Sequence, residues 1–199
     1  MESNFNHEQS LTLINEMIHR ARNNFNVRGE SFIFWGYLTA AIAVAQSILL
    51  NIQNLPVDSA CVWFLMIPAL VPGYFIERRS RRKTLAKTHI DRIAGMIWAG
   101  FFISVIVFSA VIHTVALKTG LWNVYLTNIP AMITMYGMGL FITAGVLRFK
   151  IWYAFAAFCW MGAIACIFSP FDVQFLIFAL CMLVGMALPG HILNRKNHV

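Results

Sequence analysis

The four cysteines are the residues best suited to covalent or redox chemistry, but their spacing predicts neither. Cys61, Cys159, Cys166 and Cys181 form no C-x-x-C pair of the kind that thiol exchange or zinc binding uses. Cys159 and Cys166 are seven residues apart and would share a helix face, where small apolar thiols usually pack. We therefore predict no metal site and no cofactor.

Sequence motifs of membrane enzymes are also missing. The chain has no H-E-x-x-H, no G-x-S-x-G and no pair of aspartates at helical spacing. No acid, base or nucleophile can be nominated, so we predict no catalytic residue. Charged side chains converge only at the ends of apolar stretches, where they could pair between helices or hold a phosphate group. They are Glu30, Glu77, Asp91, Arg92, Arg148 and His191.

Six apolar stretches are long enough to position these residues as transmembrane helices. Of the 199 residues, 59% are hydrophobic and 12% are charged, which does not suit a soluble domain with a polar surface. Crossing the hydrocarbon takes about 20 apolar residues. Such stretches lie near 31–51, 60–77, 93–117, 126–147, 149–168 and 173–193. The predicted fold class is an all-α membrane protein, a bundle of six transmembrane helices.

The cations predict how these helices are threaded. All of the fifteen Lys and Arg residues except Lys118 fall on one side when six spans alternate in direction. Short loops rich in Lys and Arg stay in the cytoplasm, so both termini are predicted to be cytoplasmic in a cell inner membrane. The net charge of +7 is thus an orientation signal. A nucleic-acid partner is not predicted, because no aromatic residues are interleaved with the charges.

Residues 1–30 are predicted to be a cytoplasmic segment that contains an amphipathic interfacial helix over 8–27. Its apolar face needs a cover, which the headgroup layer, the bundle or another chain could provide. Apolar side chains recur there at three- and four-residue intervals, at Leu11, Ile14, Ile18, Ala21 and Phe25. The transmembrane domain follows over 31–193, and 194–199 form a cytoplasmic tail.

Similar span ends suggest that the domain is built from three helical hairpins, 31–77, 93–147 and 149–193. Spans two and six both end in Pro-Gly, at Pro72-Gly73 and Pro189-Gly190, with a basic pair at the same distance beyond. Chance similarity is the alternative, since basic residues after spans are expected of any membrane protein.

The predicted binding surface is the set of basic residues at the cytoplasmic ends of the spans. Such clusters attract anionic headgroups at about 1 kcal/mol per charge, and a topological anchor is the alternative role. The candidates for binding headgroups or a protein partner are Arg78, Arg79, Arg81, Arg82, Lys83, Arg92, Arg148 and His191.

A central cavity is the second candidate site. Proline kinks a span, and broken helices line binding sites in transporters. The candidate lining residues are Gln46, Ser104, Thr134, Pro68 and Pro130. Small residues four apart predict close helix packing and support homo-oligomerisation. These pairs are Gly36 and Ala40, Ala41 and Ala45, Gly139 and Thr143, and Gly162 and Cys166.

The first forty residues resemble a family of small uncharacterised multi-pass inner-membrane proteins of Bacteroidetes-type bacteria. The likeness joins an amphipathic start, residues 10–18 followed by Ala21-Arg22, to a first span that opens Phe34-Trp35-Gly36. It implies a bacterial inner membrane and no particular activity.

The combined features favour a non-catalytic regulatory or scaffolding component of the membrane. It would bind lipid headgroups or a partner at its cytoplasmic face, through the amphipathic helix and the basic loop. The alternative is a transporter of small solutes or lipids, with proline-kinked helices around a cavity. A third hypothesis is an intramembrane lipid-modifying enzyme.

Overall fold

All regular structure in the computed structural model is helical within the residues that it describes, which are 29–52, 59–82, 89–147 and 149–197. The predicted amphipathic helix over 8–27 lies outside these ranges, as do Lys83 and Arg148. The all-helical fold class is confirmed for the described residues.

The helices follow the predicted spans, with shifts of a few residues at their ends. They are α1 (Gly29–Leu50), α2 (Met66–Arg82), α3 (His89–Thr119), α4 (Asn128–Leu147) and α5 (Ile151–Ile167). The last span runs without interruption through α6 (Phe171–Met182), a π-helical turn (Leu183–Ala187) and α7 (Leu188–Asn197). Short 3-10 segments lead into α2 and α4, at Ser59–Leu65 and Trp122–Thr127.

Five helical stretches in the described ranges are long and apolar enough to cross a membrane. They are Gly29–Leu50, Ala60–Arg79, Arg92–Thr119, Trp122–Val146 and Phe171–Arg195. α5 is apolar but is shorter, with 17 residues. The sixth crossing, which α5 would provide, therefore stays a prediction.

The buried core lies between α1, α4, α5 and the last span. Tyr136, Leu140, Trp152 and Phe178 are among its largest side chains. Among the residues whose side chains the structure describes, no Asp, Glu, Lys, Arg or His is buried. The interior is mainly apolar, and its buried polar residues are Gln46, Ser47, Thr143 and Gln174.

α2 and α3 lie at the edges of this core. α2 packs mainly on α1 and on the 3-10 segment before it, and α3 packs mainly along α4. Their other surfaces are apolar and exposed, with Ile67 61% and Ile106 69% accessible. Large exposed apolar surfaces mark contact with lipid or with another protein.

The most extensive helix pairs are α4 with α5 and α1 with the last span. Both pairs cross the boundaries of the three proposed hairpins. The short turn that follows α4 explains the first pair, since the backbone N–H of Phe149 bonds to Ala144 O and that of Trp152 to Phe149 O. The second pair joins the two ends of the described chain.

Glycines allow α1 and the last span to approach each other backbone to backbone. A Cβ added to Gly36 would lie 2.8 Å from the Ala187 nitrogen and 3.2 Å from its Cα. A Cβ on Gly29 would collide with the Gly190 carbonyl oxygen. Close approach of this kind is the usual role of small residues between membrane helices.

Both Pro-Gly segments pack against α1. Gly73 lies under the ring of Trp35, whose Cζ2 would be 2.6 Å from an added Cβ. Gly190 lies against Gly29 and Ile33. The repeated Pro-Gly feature of the sequence therefore has one structural counterpart, a point within a span that lies against the first helix.

We expect Gly36→Ala to destabilise the protein by about 1–3 kcal/mol, because the new methyl group meets backbone atoms that cannot rotate away. Gly100→Ala is the matched control, since an added Cβ there has nothing within 4 Å. The measurement is the free energy of unfolding in mixed micelles with increasing sodium dodecyl sulfate. Equal stability of the two variants would contradict the close contact.

Candidate functional site

Four of the basic candidates, Arg78, Arg79, Arg92 and His191, are exposed near helix ends. Arg78 and Arg79 are exposed near the end of α2, which continues as a helix through the positions of Arg81 and Arg82. Arg92 is exposed in the first turns of α3. These residues form no buried site. They are placed where ions or headgroups outside the bundle can reach them.

His191 is the one basic candidate for which a side-chain partner is found among the described residues. Its Nε2 lies 3.2 Å from the Tyr37 hydroxyl, and the two rings pack edge to face with centroids 5.9 Å apart. Both side chains are exposed. The contact joins α7 to α1, so at His191 a tyrosine takes the place of the expected charge pair.

The five cavity candidates are not gathered in one place. Gln46 is buried, whereas Ser104, Thr134 and Pro68 are exposed and Pro130 is half-buried. The Thr134 hydroxyl donates to the Pro130 carbonyl oxygen of its own helix at 2.8 Å. Three of the five thus face outward, and of the five only Gln46 is buried.

One buried side-chain hydrogen bond joins two helices of this core. The Tyr136 hydroxyl of α4 donates to the Gly185 carbonyl oxygen in the π-helical turn, at 2.9 Å. Tyr136 is 1% exposed and also packs against the rings of Trp98 and Phe101. Through this hydrogen bond and these ring contacts, Tyr136 links α4 to the last span and to α3.

Pro189 explains why the Gly185 carbonyl accepts this hydrogen bond. In an α-helix the Gly185 carbonyl would accept from the backbone N–H of residue 189, but proline has none. Upstream, the N–H of Leu188 bonds to Leu183 O, five residues back. An unpaired carbonyl in an apolar interior is costly. The Tyr136 hydroxyl supplies the missing donor.

Three of the four small-residue pairs face helices of the same chain. Gly36 contacts Ala187, an added Cβ on Gly162 would collide with Cys181 Sγ, and Gly139 lies beside the ring of Trp98. The remaining pair includes Ala41, which is exposed. Close packing inside the bundle accounts for most of this pattern.

Polar contacts at the opposite helix ends form two separate groups. Between α3 and the segment that leads into α4, His113 Nδ1 lies 2.6 Å from the Tyr125 hydroxyl. Between α1 and α6, Asn51 Nδ2 donates to an Asp172 carboxylate oxygen at 3.3 Å. Gln174 is buried nearby, and its amide nitrogen donates to Cys166 O at 3.1 Å. These contacts hold the ends of neighbouring helices together.

Sequence reasoning missed Tyr37 and Tyr136. Both lie in apolar stretches and were not singled out, because their partners are 154 and 49 residues away along the chain. A signal was available for Tyr136. A tyrosine at mid-depth needs a hydrogen-bond partner, and a proline in a neighbouring span leaves a carbonyl to be paired.

Comparisons with known proteins found no relative of this chain. No family model, no curated protein and no solved structure matches the chain. The family resemblance at the start of the chain therefore stays a prediction.

We expect Tyr136→Phe to lower the free energy of unfolding by about 0.6 kcal/mol, the average measured for hydrogen bonds between membrane helices, and by no more than about 1.7 kcal/mol, the largest value measured. The loss should shrink in a Pro189→Ala background, because alanine restores a backbone N–H for Gly185. Tyr153→Phe is the matched control, since no hydrogen bond of its hydroxyl is found within the described residues. A double-mutant cycle measures the coupling. Additive effects of the two substitutions would contradict the role given to Tyr136.

Proposed function

We propose that the chain is an integral protein of a bacterial inner membrane, with six spans and both termini in the cytoplasm. The 17 residues of α5 lie at the lower end of the range that crosses the hydrocarbon. α5 also packs extensively on α4 and contacts the last span, which supports a position inside the same layer. The placement of the cations supports the orientation.

We propose that the protein is a non-catalytic membrane component that binds anionic headgroups, or a partner of that charge, at its cytoplasmic face. One observation carries this proposal. α2 stays helical through Arg82, beyond the end of the apolar part of its span, and Arg78 and Arg79 are exposed on it. A helix holds its residues at fixed positions, so we expect an ordered cationic surface at what we call the basic end of α2, Arg78, Arg79, Arg81 and Arg82. Residues 1–28 would add a second contact with lipid or with a partner.

The two alternatives gain less support. A transporter needs a cavity at mid-depth, but Ser104, Thr134 and Pro68, three of the five candidate lining residues, are exposed. An enzyme needs several charged groups around one open site, and among the described candidates His191 is paired with Tyr37. Neither alternative explains the exposed basic end of α2.

The orientation can be tested with the native cysteines. Cys61 is exposed, whereas Cys159, Cys166 and Cys181 are buried. In the proposed topology Cys61 lies at the outer end of the second span, so a membrane-impermeant maleimide should label it in intact cells whose outer membrane has been opened. Cys61→Ser should abolish the label. Labelling that appears only after the inner membrane is permeabilised would contradict the orientation.

The headgroup proposal can be tested by replacing Arg78, Arg79, Arg81 and Arg82 with glutamine. At about 1 kcal/mol per charge, we expect anionic lipid to be clearly less enriched around the variant than around the native chain. The measurement is the composition of the lipid that copurifies in polymer-bounded nanodiscs, by mass spectrometry.

The matched control replaces the same four residues with lysine, which keeps the charge and should keep the enrichment. Added salt should weaken the enrichment around the native chain, because it screens exposed charges. Cys61 labelling reports whether the glutamine variant keeps its orientation. If anionic lipid is enriched as strongly around a correctly oriented glutamine variant as around the native chain, the headgroup proposal is wrong.

A further inference from the structure

A row of exposed residues follows one face of α1. Tyr37, Ala41, Val44 and Ile48 are spaced by four, three and four residues, which places them on one side of the helix. All four are exposed, although the opposite side of α1 is buried against the bundle. From Tyr37 to Ile48 the helix rises about 16 Å. Within the predicted span 31–51, the row begins about 9 Å from the cytoplasmic end and ends about 5 Å from the outer end.

A second exposed row lies beside it on the last span. Leu188, His191 and Arg195 are exposed at three- and four-residue spacing, so they share a face of α7. The contact between Tyr37 and His191 joins the two rows at their cytoplasmic end. We call the surface formed by these two rows the seam.

The two ends of the seam differ in chemistry. Its cytoplasmic end presents a hydroxyl, an imidazole and a guanidinium group, all of which donate hydrogen bonds to phosphate oxygens. The remainder is apolar, and Ala41 leaves a shallow place between larger side chains. The nearest acid on this face of α1 is Glu30, seven residues before Tyr37 and so about 10 Å further along the axis.

We propose that the seam binds one phospholipid of the cytoplasmic leaflet. Its phosphate is held by Tyr37, His191 and Arg195, and an acyl chain runs past Tyr37 and along Ala41 toward Val44. Charge complementarity at one end and the apolar row that continues from it support a lipid as the occupant. This inference rests on the membrane placement in the proposed function, but it uses none of the residues at the basic end of α2.

The test is native mass spectrometry of the full chain, purified in detergent and titrated with phosphatidylglycerol or phosphatidylcholine. We expect one tightly held phosphatidylglycerol, and about tenfold weaker retention in Tyr37→Phe, His191→Gln or Arg195→Gln, as for a lost charge-assisted hydrogen bond. Glu30→Gln should keep or strengthen retention, because it removes a negative charge near the phosphate. Equal retention in the native chain and in all three variants of the phosphate-binding residues would overturn the proposal.

A second variant tests the acyl-chain part without touching the phosphate-binding groups. Ala41→Trp places a large side chain on the apolar row and should lower retention while the thermal stability of the detergent-solubilised protein stays unchanged. Glycerophosphoglycerol, the headgroup without acyl chains, should not displace the lipid. Unchanged retention by Ala41→Trp, or full displacement by the soluble headgroup, would rule out a bound lipid. A lipid-free dimer that Ala41→Trp disrupts would assign the seam to a second copy instead.

The two proposals can fail separately. Replacing the four arginines at the basic end of α2 with glutamine should leave the seam lipid in place, since those residues lie on another helix. If that variant loses the single tightly held lipid and the seam variants keep it, the seam proposal is wrong and the basic end of α2 is the lipid site. If enrichment in nanodiscs is unchanged but seam variants lose the lipid, only the headgroup role of α2 fails.

Discussion

The hydrocarbon of a bilayer offers no hydrogen-bond partners, so every backbone group inside it must be paired within the protein. Helices meet this requirement except where a proline interrupts them. The last span contains such an interruption at Pro189, and the Tyr136 hydroxyl pairs the carbonyl that the proline leaves free. The π-helical turn, the buried position of Tyr136 and the glycine at 185 follow from this one requirement. A Cβ at position 185 would lie 2.9 Å from the Tyr136 ring, so a side chain there would push the hydroxyl away.

α1 is the helix on which the rest of the arrangement converges. The last span lies against its glycine face, Trp35 on another face covers Gly73 of α2, and Phe32 packs edge to face with Trp98 and Trp152. Its remaining face is the exposed row that begins at Tyr37. Changes at the start of α1 would therefore reach four other helices. This gives α2 and the seam a common structural connection, since α2 packs on α1 at Gly73 and α1 carries one row of the seam.

Hydropathy and charge predict much of this fold, because the bilayer imposes helix length and orientation through simple physical rules. The predicted spans at 31–51 and 173–193 agree with helices that the structure contains. Which side of a helix faces inward was harder to predict. Ser104 and Thr134 were expected to line a cavity because they are polar and lie at mid-depth, yet both are exposed. Apolar helices such as α4, which carries Thr134, have nearly uniform hydrophobicity all round, so the sequence does not reveal the buried face. Contacts between distant residues, such as Tyr37 with His191, depend on how the helices pair, which hydropathy does not encode.

The number of membrane crossings is the claim on which the proposed function and the seam both depend. An even number places both termini on the same side, whereas a non-spanning α5 would give five crossings and put them on opposite sides. The most direct measurement uses reporter fusions at each terminus of the full chain. One reporter is a fluorescent protein that matures only in the cytoplasm, and the other is alkaline phosphatase, which is active only outside it. Each terminus is tested with both reporters. The account predicts fluorescence without phosphatase activity at both termini. Phosphatase activity at the C-terminus together with fluorescence at the N-terminus would contradict it.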